Sequence, residues 1–433
     1  MHEMVSIFLM LPLSVLFITV IKMTTFFHRT LRPILILSKY IGLIDISYTM
    51  GPTGLLVHNV KSLFHICIEI SRIIVLLMFT YMYIYKDDST IRIIQIFTVL
   101  QFWINIIAAR LSNNWISDLI LYVFRFINGM IEFDRKLTPF STSLLSKQRS
   151  FSKRQWDIFL ISFFLYFIVL KFLHFYLMTF KVMTVDIFII PFILFAPPFI
   201  LDYVITSSLC YFLHNLHARF WTLNDLWKCL PAEMVVHHDK WTHIEMVLFM
   251  EKTRLLHSEL CDLLKKFTIG FGPLLLAYFT FSFSCLLIGI FLMVTNFHLL
   301  AIEPSAAEVW FQIFNVTDHI QIVISIMSII VYVSFIEEQR TKIISYLRSY
   351  RISNLNMDVK KQIKMFMNQM SFSGLDQITA FGFFNVNLNL VMSILVLIIT
   401  GITTLVQMKH DPIIIKLHND TFLFIKSMRK NMT

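Results

Sequence analysis

The chain has 433 residues, of which 57% are hydrophobic and 15% charged, with a formal net charge of +10. Soluble domains carry roughly 25% charged residues, so this balance excludes an ordinary soluble enzyme or binding module. With only ten glycines and no repeat in the range of about 20 to 50 residues, neither a β-barrel nor a solenoid is indicated. An all-α membrane protein remains, because a bilayer forces backbone groups to pair within each segment.

Crossing the hydrocarbon core takes about 20 apolar residues. Seven runs qualify: 63–85, 91–109, 156–179, 187–208, 267–297, 314–336 and 384–408. Ahead of them lies an apolar stretch at 4–21. It follows His2 and Glu3 rather than a basic region, contains Pro12 and has no small-residue cleavage site, so it does not read as a signal peptide. It spans, lies in the interface, or precedes a start at Met23.

With seven spans and the N-terminus inside, the inner segments 1–62, 110–155, 209–266 and 337–383 hold 27 of the 37 Lys and Arg. The positive-inside rule therefore places the N-terminus in the cytosol and the C-terminus outside. Glycosylation sequons begin at Asn315, Asn419 and Asn431, all in segments predicted to face outward. This orientation is the reverse of a G-protein-coupled receptor. The run Asp134-Arg135-Lys136 resembles that class's arginine motif only superficially, since it follows the second span. Basic residues such as Lys147, Arg149, Lys153 and Arg154 face the anionic inner leaflet, so the net charge calls for no nucleic acid.

Polar groups inside spans are costly without partners and point to function. Gln101 and Trp103 in the second span, Lys171 and His174 in the third, Phe291 and Asn296 in the fifth, and Asp318, His319 and Gln321 in the sixth share a similar depth toward the outside. A few polar groups among aromatic walls are what small-molecule pockets are made of. The competing reading is structural pairing, for example Lys171 with Asp318.

The inner segments read as folded helices. Leu256, Leu260, Leu263 and Phe267 lie on one face of a helix running into the fifth span, and residues 337–371 alternate similarly. None of the five cysteines lies in an outer loop, so no structural disulfide is expected. His214, His217, His237, His238 and His243 match no recognised metal-ligand spacing, and no cofactor is expected. There is no phosphate loop, nucleophile elbow or His-Glu-x-x-His, so no enzymatic activity is expected.

The last span is the most informative. Residues 377–408 contain no charged side chain, and Asn385, Asn389, Ser393, Val396, Thr400, Thr403 and Gln407 recur at helical steps of 3 and 4. Such a stripe either hydrogen-bonds to neighbouring helices or lines an aqueous pore.

Gly382-Phe383-Phe384-Asn385-Val386-Asn387, then Thr400-Gly401, five residues, and Gln407-Met408, is similar to the terminal signature of insect gustatory receptors. That pattern is a Gly-hydrophobic-Phe lead-in, then Thr-Tyr, five mostly apolar residues and Gln-Phe. Chain length, seven spans, inverted topology and the stretch from Arg32-Pro33-Ile34 to Gly42-Leu43 agree with it. Gly401 stands where the family has Tyr, and Met408 where it has Phe. Ile402 stands where the sugar-receptor branch has Glu, which leans toward divergent branches that include bitter receptors.

The resemblance implies a ligand-gated, non-selective cation channel in the plasma membrane of gustatory neuron dendrites. It implies four identical or related subunits, with the seventh helix of each around one pore. The pore-lining set is then Ser393, Val396, Thr400, Thr403, Gln407 and Met408. Residues 63–336 form the sensing bundle, 337–383 a cytosolic anchor, 384–408 the pore helix and 409–433 an outer tail. The partners implied are a small-molecule tastant, permeating cations and lipid. An insect odorant receptor channel shares this architecture. A metabotropic receptor would need a cytosolic C-terminus. A transporter would want repeated halves, of which Pro191, Pro197 and Pro198 are the one hint.

Overall fold

A computed structural model describes residues 26–41, 48–50, 55–58, 117–144, 161–170, 197–236, 243–296, 306–349, 357–373 and 377–409, with Ile74, Leu77, Leu100, Trp103, Ile104 and Ile158 besides. Helix dominates. The elements are α1 (Phe26–Ile41), β1 (Tyr48–Met50), β2 (Leu56–His58), α2 (Ser117–Leu144), α3 (Pro197–Val236), α4 (His243–Asn296), α5 (Ala306–Ser349), α6 (Met357–Ser373), β3 (Thr379–Ala380), β4 (Phe384–Asn385) and α7 (Leu388–Lys409). A further helical stretch covers Ile161–Leu170. Among the described residues, Ile244–Phe291, Val316–Tyr346 and Leu388–Gln407 are long and apolar enough to cross a membrane.

The amphipathic stretch predicted before the fifth span is continuous with it, since α4 is one helix of 54 residues. Leu256, Leu260, Leu263 and Phe267 all face the core. Likewise α5 carries the sixth span without a break to Ser349, and α6 is a separate helix beyond it. Pro197 and Pro198 stand in the first turn of α3, where a missing N–H costs least, rather than in a mid-helix break.

The most extensive packing joins α5 to α3 and α2 to α4, with α6 and α7 both laid on α4. Phe126 of α2, Phe212 of α3, and Phe267 and Phe271 of α4 form one aromatic cluster with centroids 4.9–6.2 Å apart. A second cluster links Trp227 of α3, His257 of α4 and Phe366 of α6 at 5.3 Å centroid spacings. Leu31, Ile34, Leu35 and Ser38 bury one face of α1, and the Ser38 hydroxyl meets that of Ser208 on α3 at 3.1 Å.

Polar cross-links tie the helices of the inner bundle. Arg219, buried on α3, donates from Nε to Asp134 Oδ1 of α2 at 2.9 Å and from a terminal nitrogen to the Asn215 carbonyl. Lys136 donates to Glu259 of α4 at 2.9 Å, and that hydrogen bond holds its ammonium above the usual lysine range. Thus Asp134 and Lys136 of the Asp-Arg-Lys run are structural ties. Asn224 donates to the Gln339 carbonyl of α5 at 2.6 Å, and Arg254 to Gln369 of α6 at 3.1 Å. His214 meets Tyr332 edge to face with ring centroids 5.8 Å apart, and burial, with help from His217 and Arg219, pushes its pKa down to about 4. Cys210, Cys261 and Cys285 are thiols that form no disulfide.

Removing one partner of a buried charge strands the other. Asp134→Ala is expected to cost about 2–3 kcal/mol by leaving the Arg219 guanidinium under-paired. Asp134→Leu combined with Arg219→Met is expected to recover most of that loss, because the charge is gone with its partner. Thermal melts of detergent-solubilised protein, read by size-exclusion fluorescence, measure both.

Candidate functional site

Two regions gather described residues singled out in the sequence: the free face of α7, and the C-terminal end of α4 with the N-terminal part of α5.

α7 is launched by a hairpin. β3 and β4 pair antiparallel, Thr379 with Asn385 and Ala380 with Phe384. The Phe383 N–H bonds to the Ala380 carbonyl at 3.0 Å, across Phe381 (φ 51°) and Gly382 (φ 80°). Positive φ at both central positions defines a type I′ turn, which suits Gly382 and strains Phe381. The turn rests on α4: a Cβ on Gly272 would stand 3.1 Å from the Phe381 nitrogen. After the hairpin the Asn387 side-chain oxygen accepts the Leu390 N–H at 3.2 Å and caps α7. Asn385 is therefore a strand residue, so the polar stripe begins at Asn389 and the seventh span starts four residues later than the hydropathy suggests.

Leu390, Val391, Ile394 and Ile398 pack toward the core. Gly401 continues that face, and a Cβ there would sit 2.7 Å from Leu287 Cδ1 of α4. The departure from Thr-Tyr thus has a local reason, since a tyrosine would meet Leu287. On the opposite side Asn389, Ser393, Val396, Thr400, Thr403 and Gln407 are all exposed. Their hydroxyls donate along the helix: Ser393 to Asn389 O at 3.3 Å, Thr400 to Val396 O at 2.9 Å and Thr403 to Ile399 O at 2.8 Å. Oxygen lone pairs stay free to face outward. Leu388, Met392, Leu395, Leu397 and Ile399 flank the stripe and are equally exposed. Met408 lies in the last turn of the same helix.

Where the end of α4 meets the early part of α5, the His319 imidazole lies so close to Gly289 that a Cβ there would collide with it. Asp318 and His319 are half-buried and Gln321 is buried. Asp318, Gln321 and Ser325 follow one inward face at steps of 3 and 4. Below them Tyr278 of α4 bonds to Thr206 of α3 at 3.0 Å and also to Ser325. Phe291 is half-buried near the end of α4, and Asn296 is the last residue of that helix. Trp103 packs half-buried against the core. Asn315 lies within α5 by backbone position. Gln101, Lys171, His174, Asn419 and Asn431 lie outside the described residues.

The structure brings the stretch of α5 that holds Asp318, His319 and Gln321 against the C-terminal part of α4. Sequence reasoning missed Gly289, Tyr278, Thr206 and Ser325, which carry no signal beyond small size or a lone hydroxyl in an apolar run. A shallow crevice near the root of the hairpin is lined by Leu264, Val333, Ile336, Glu337, Arg340, Gln377 and Ile378.

Three described helices long and apolar enough to cross a membrane, the last with an exposed polar face, are those of a multi-pass membrane protein. Residues 31–410 match the model of the 7tm chemosensory receptor family, and the chain belongs to that family. It is similar in fold to the insect olfactory receptor OR5 from Machilis hrabei, with a TM-score of 0.57 and 12% identity over 88% of this chain and 98% of that one. The same receptor in complex with eugenol superposes with a TM-score of 0.53, at the same identity and coverage. No curated protein matches the sequence. The relative's chain is covered almost whole, so the seven-helix fold read from hydropathy is the fold of this chain.

Introducing a tyrosine at this position tests the packing at Gly401. Gly401→Tyr is expected to cost about 1–3 kcal/mol by overpacking against Leu287. Leu287→Ala in the same chain is expected to restore surface delivery, measured by staining intact cells.

Proposed function

We propose that this chain is a gustatory receptor acting as a tastant-gated, non-selective cation channel. Four subunits, identical or related, set their α7 helices around one pore. The observation that carries this reading is the orientation of α7: its polar stripe points away from its own subunit, with apolar shoulders on either side. Neighbouring copies would cover the shoulders and leave the stripe to water. Ser393, Val396, Thr400, Thr403, Gln407 and Met408 would line the passage, offering neutral oxygens to a hydrated cation.

In this reading residues 63–336 sense the ligand, 337–383 anchor the subunits in the cytosol and 409–433 lie outside. The pocket draws on Gln101, Trp103, Lys171, His174, Phe291, Asn296, Asp318, His319 and Gln321. Ile402, half-buried where the sugar branch has Glu, favours a small plant compound of bitter type over a sugar. Ligand binding opens the pore by as much as its affinity for the open state exceeds that for the closed one. The receptor would reside in the plasma membrane of gustatory dendrites, glycosylated at Asn315 or Asn419. The likeness to an olfactory receptor supports a second reading, an odorant-gated channel of the same build.

Orientation is tested first. A tag added after Thr433 is expected to stain on intact cells; staining only after permeabilisation ends the channel reading.

The pore is tested at Gln407. Gln407→Glu would place up to four carboxylates in one ring, which attracts cations and raises each carboxyl's pKa. Conductance or divalent selectivity is expected to change, with dependence on outside pH, and Gln407→Leu is expected to lower conductance. Reversal potentials in mixed sodium and calcium solutions decide it: surface-delivered mutants with unchanged permeation remove Gln407 from the pore.

A further inference from the structure

We propose that His257 makes the docking of α6 sensitive to pH, so that acid in the compartment bathing α6 loosens this helix from α3 and α4. In the orientation proposed above that compartment is the cytosol; the docking itself does not depend on the channel reading.

Three helices close on one imidazole. His257 is only 1% exposed and lies in the amphipathic part of α4, ahead of the fifth span. Phe220 of α3 meets its ring edge to face at 6.0 Å, and Phe366 of α6 covers it at 5.3 Å. Phe366 in turn lies against Trp227 of α3 at 5.3 Å. Nδ1 stands 3.7 Å from the Cys261 sulfur one turn along α4, a weak contact, and Nε2 has no hydrogen-bond partner. The charged group facing the ring from α5 is Arg340, itself buried. α3 and α6 turn aromatic rings to it, and among the described residues no carboxylate is its partner.

The box therefore holds a neutral ring. Protonated in place, it would be a second cation beside Arg340, out of water and with no anion to balance it. Burial, with a smaller push from Arg340, accordingly lowers its pKa to about 3. Set free in water the same ring titrates at about 6.5. The undocked form thus takes up a proton that the docked form refuses. Docking is fully favoured above about pH 6.5 and weakens as pH falls below it.

α6 is the element able to yield. α3, α4 and α5 run for 40, 54 and 44 residues, whereas α6 has 17. It docks through Val359, Ile363, Phe366 and Met370, one buried face at steps of 4, 3 and 4, and through reciprocal bonds between Arg254 and Gln369. Phe366 is the residue of that face that lies on the imidazole, so uncovering His257 means lifting α6. Trp227 Nε1, behind Phe366, also lacks a partner, so the contact leaves two buried polar groups unmade. Such an interface opens more readily than a wholly apolar one. The hairpin that launches α7 follows α6 in the chain, so the docking of α6 bears on how α7 is held.

Hydrogen exchange of the full-length protein in detergent, read by mass spectrometry, measures docking helix by helix. After correction for the pH dependence of exchange itself, opening of residues 357–373 is expected to rise about fourfold from pH 7.5 to 6.0 and about tenfold by pH 5.5. Those factors follow from one proton bound at about pH 6.5 in the open form alone. Residues 274–290 of α4 are expected to change little. His257→Phe keeps an aromatic ring in the box and removes the proton site; it is expected to flatten the α6 profile. His257→Gln, polar but without a charge to gain, is expected to flatten it as well.

A flat profile in the parent overturns the proposal, as does acid loosening of α6 that persists in either variant at an unchanged melting temperature. Exchange that rises equally in α6 and in residues 274–290 is general acid unfolding and overturns it too. If neither variant folds, the parent decides alone: loosening confined to α6 with the expected fold-change supports the switch, and any other profile ends it.

Discussion

The fold depends on a mismatch of lengths. A hydrocarbon core of about 30 Å is crossed by about 20 helical residues, whereas α3, α4 and α5 run for 40, 54 and 44 residues. At about 1.5 Å per residue these are rods of roughly 60–80 Å, at least twice the membrane thickness. Of these, α4 and α5 contain apolar stretches long enough to cross, so each must change character along its length, apolar in one part and amphipathic in the other. α4 shows the change within one helix: Glu251, Lys252, Arg254 and Glu259 accompany a buried stripe near the start, and the later half is almost uncharged. Because no break separates the two regimes, the hydrophobic core passes from the membrane level into the inner bundle without interruption.

The same helix joins the two candidate sites. Along α4, Gly272 receives the hairpin turn, Leu287 meets Gly401 of α7, and Gly289 receives the His319 ring. Each is a close approach made possible by a missing Cβ, and together they place the His319 end of α5 and the polar-striped helix α7 on one rod. Close-packed interfaces of this kind hold discrete arrangements rather than deforming smoothly. On the channel proposed above, a ligand that shifts His319 would act on the element against which α7 is packed, which would give differential affinity a physical route to α7.

Much of this was legible before any coordinates. Composition and charge spacing identify the seven-helix class, and the inner amphipathic stripes appear where Leu256 to Phe267 indicate. The polar stripe of α7 was legible from Asn389 onward, because a period of 3.6 survives whatever the helix packs against. Its start was not. Asn385 keeps the helical spacing, but the Asn387 cap and the left-handed turn at Phe381 and Gly382 commit the preceding residues to a hairpin. Hydropathy does not register a turn made of phenylalanines. The approach of Gly289 to His319 was equally invisible, since one glycine in an apolar run says nothing about which side chain fills the space. Asp134 and Arg219, 85 residues apart, pair only because α2 and α3 bring them together.

The distribution of polarity along α7 bears on what its stripe does. The amides Asn389 and Gln407 stand 18 residues apart, about 27 Å along a helix axis, close to the thickness of the hydrocarbon core. Between them are hydroxyls that bond to their own backbone, and Val396. A self-bonded serine or threonine tolerates lipid or a neighbouring helix at little cost, whereas an amide side chain does not. The strongest polar groups therefore sit at the two ends of a stretch about as long as the hydrocarbon core is thick, and the weakest in its middle. A stripe evolved for helix packing alone gains most from amides at mid-depth, where no water competes for their hydrogen bonds. This stripe has the opposite profile. It suits a passage that meets water at both ends and offers a permeating cation neutral oxygens, with no fixed charge to trap it.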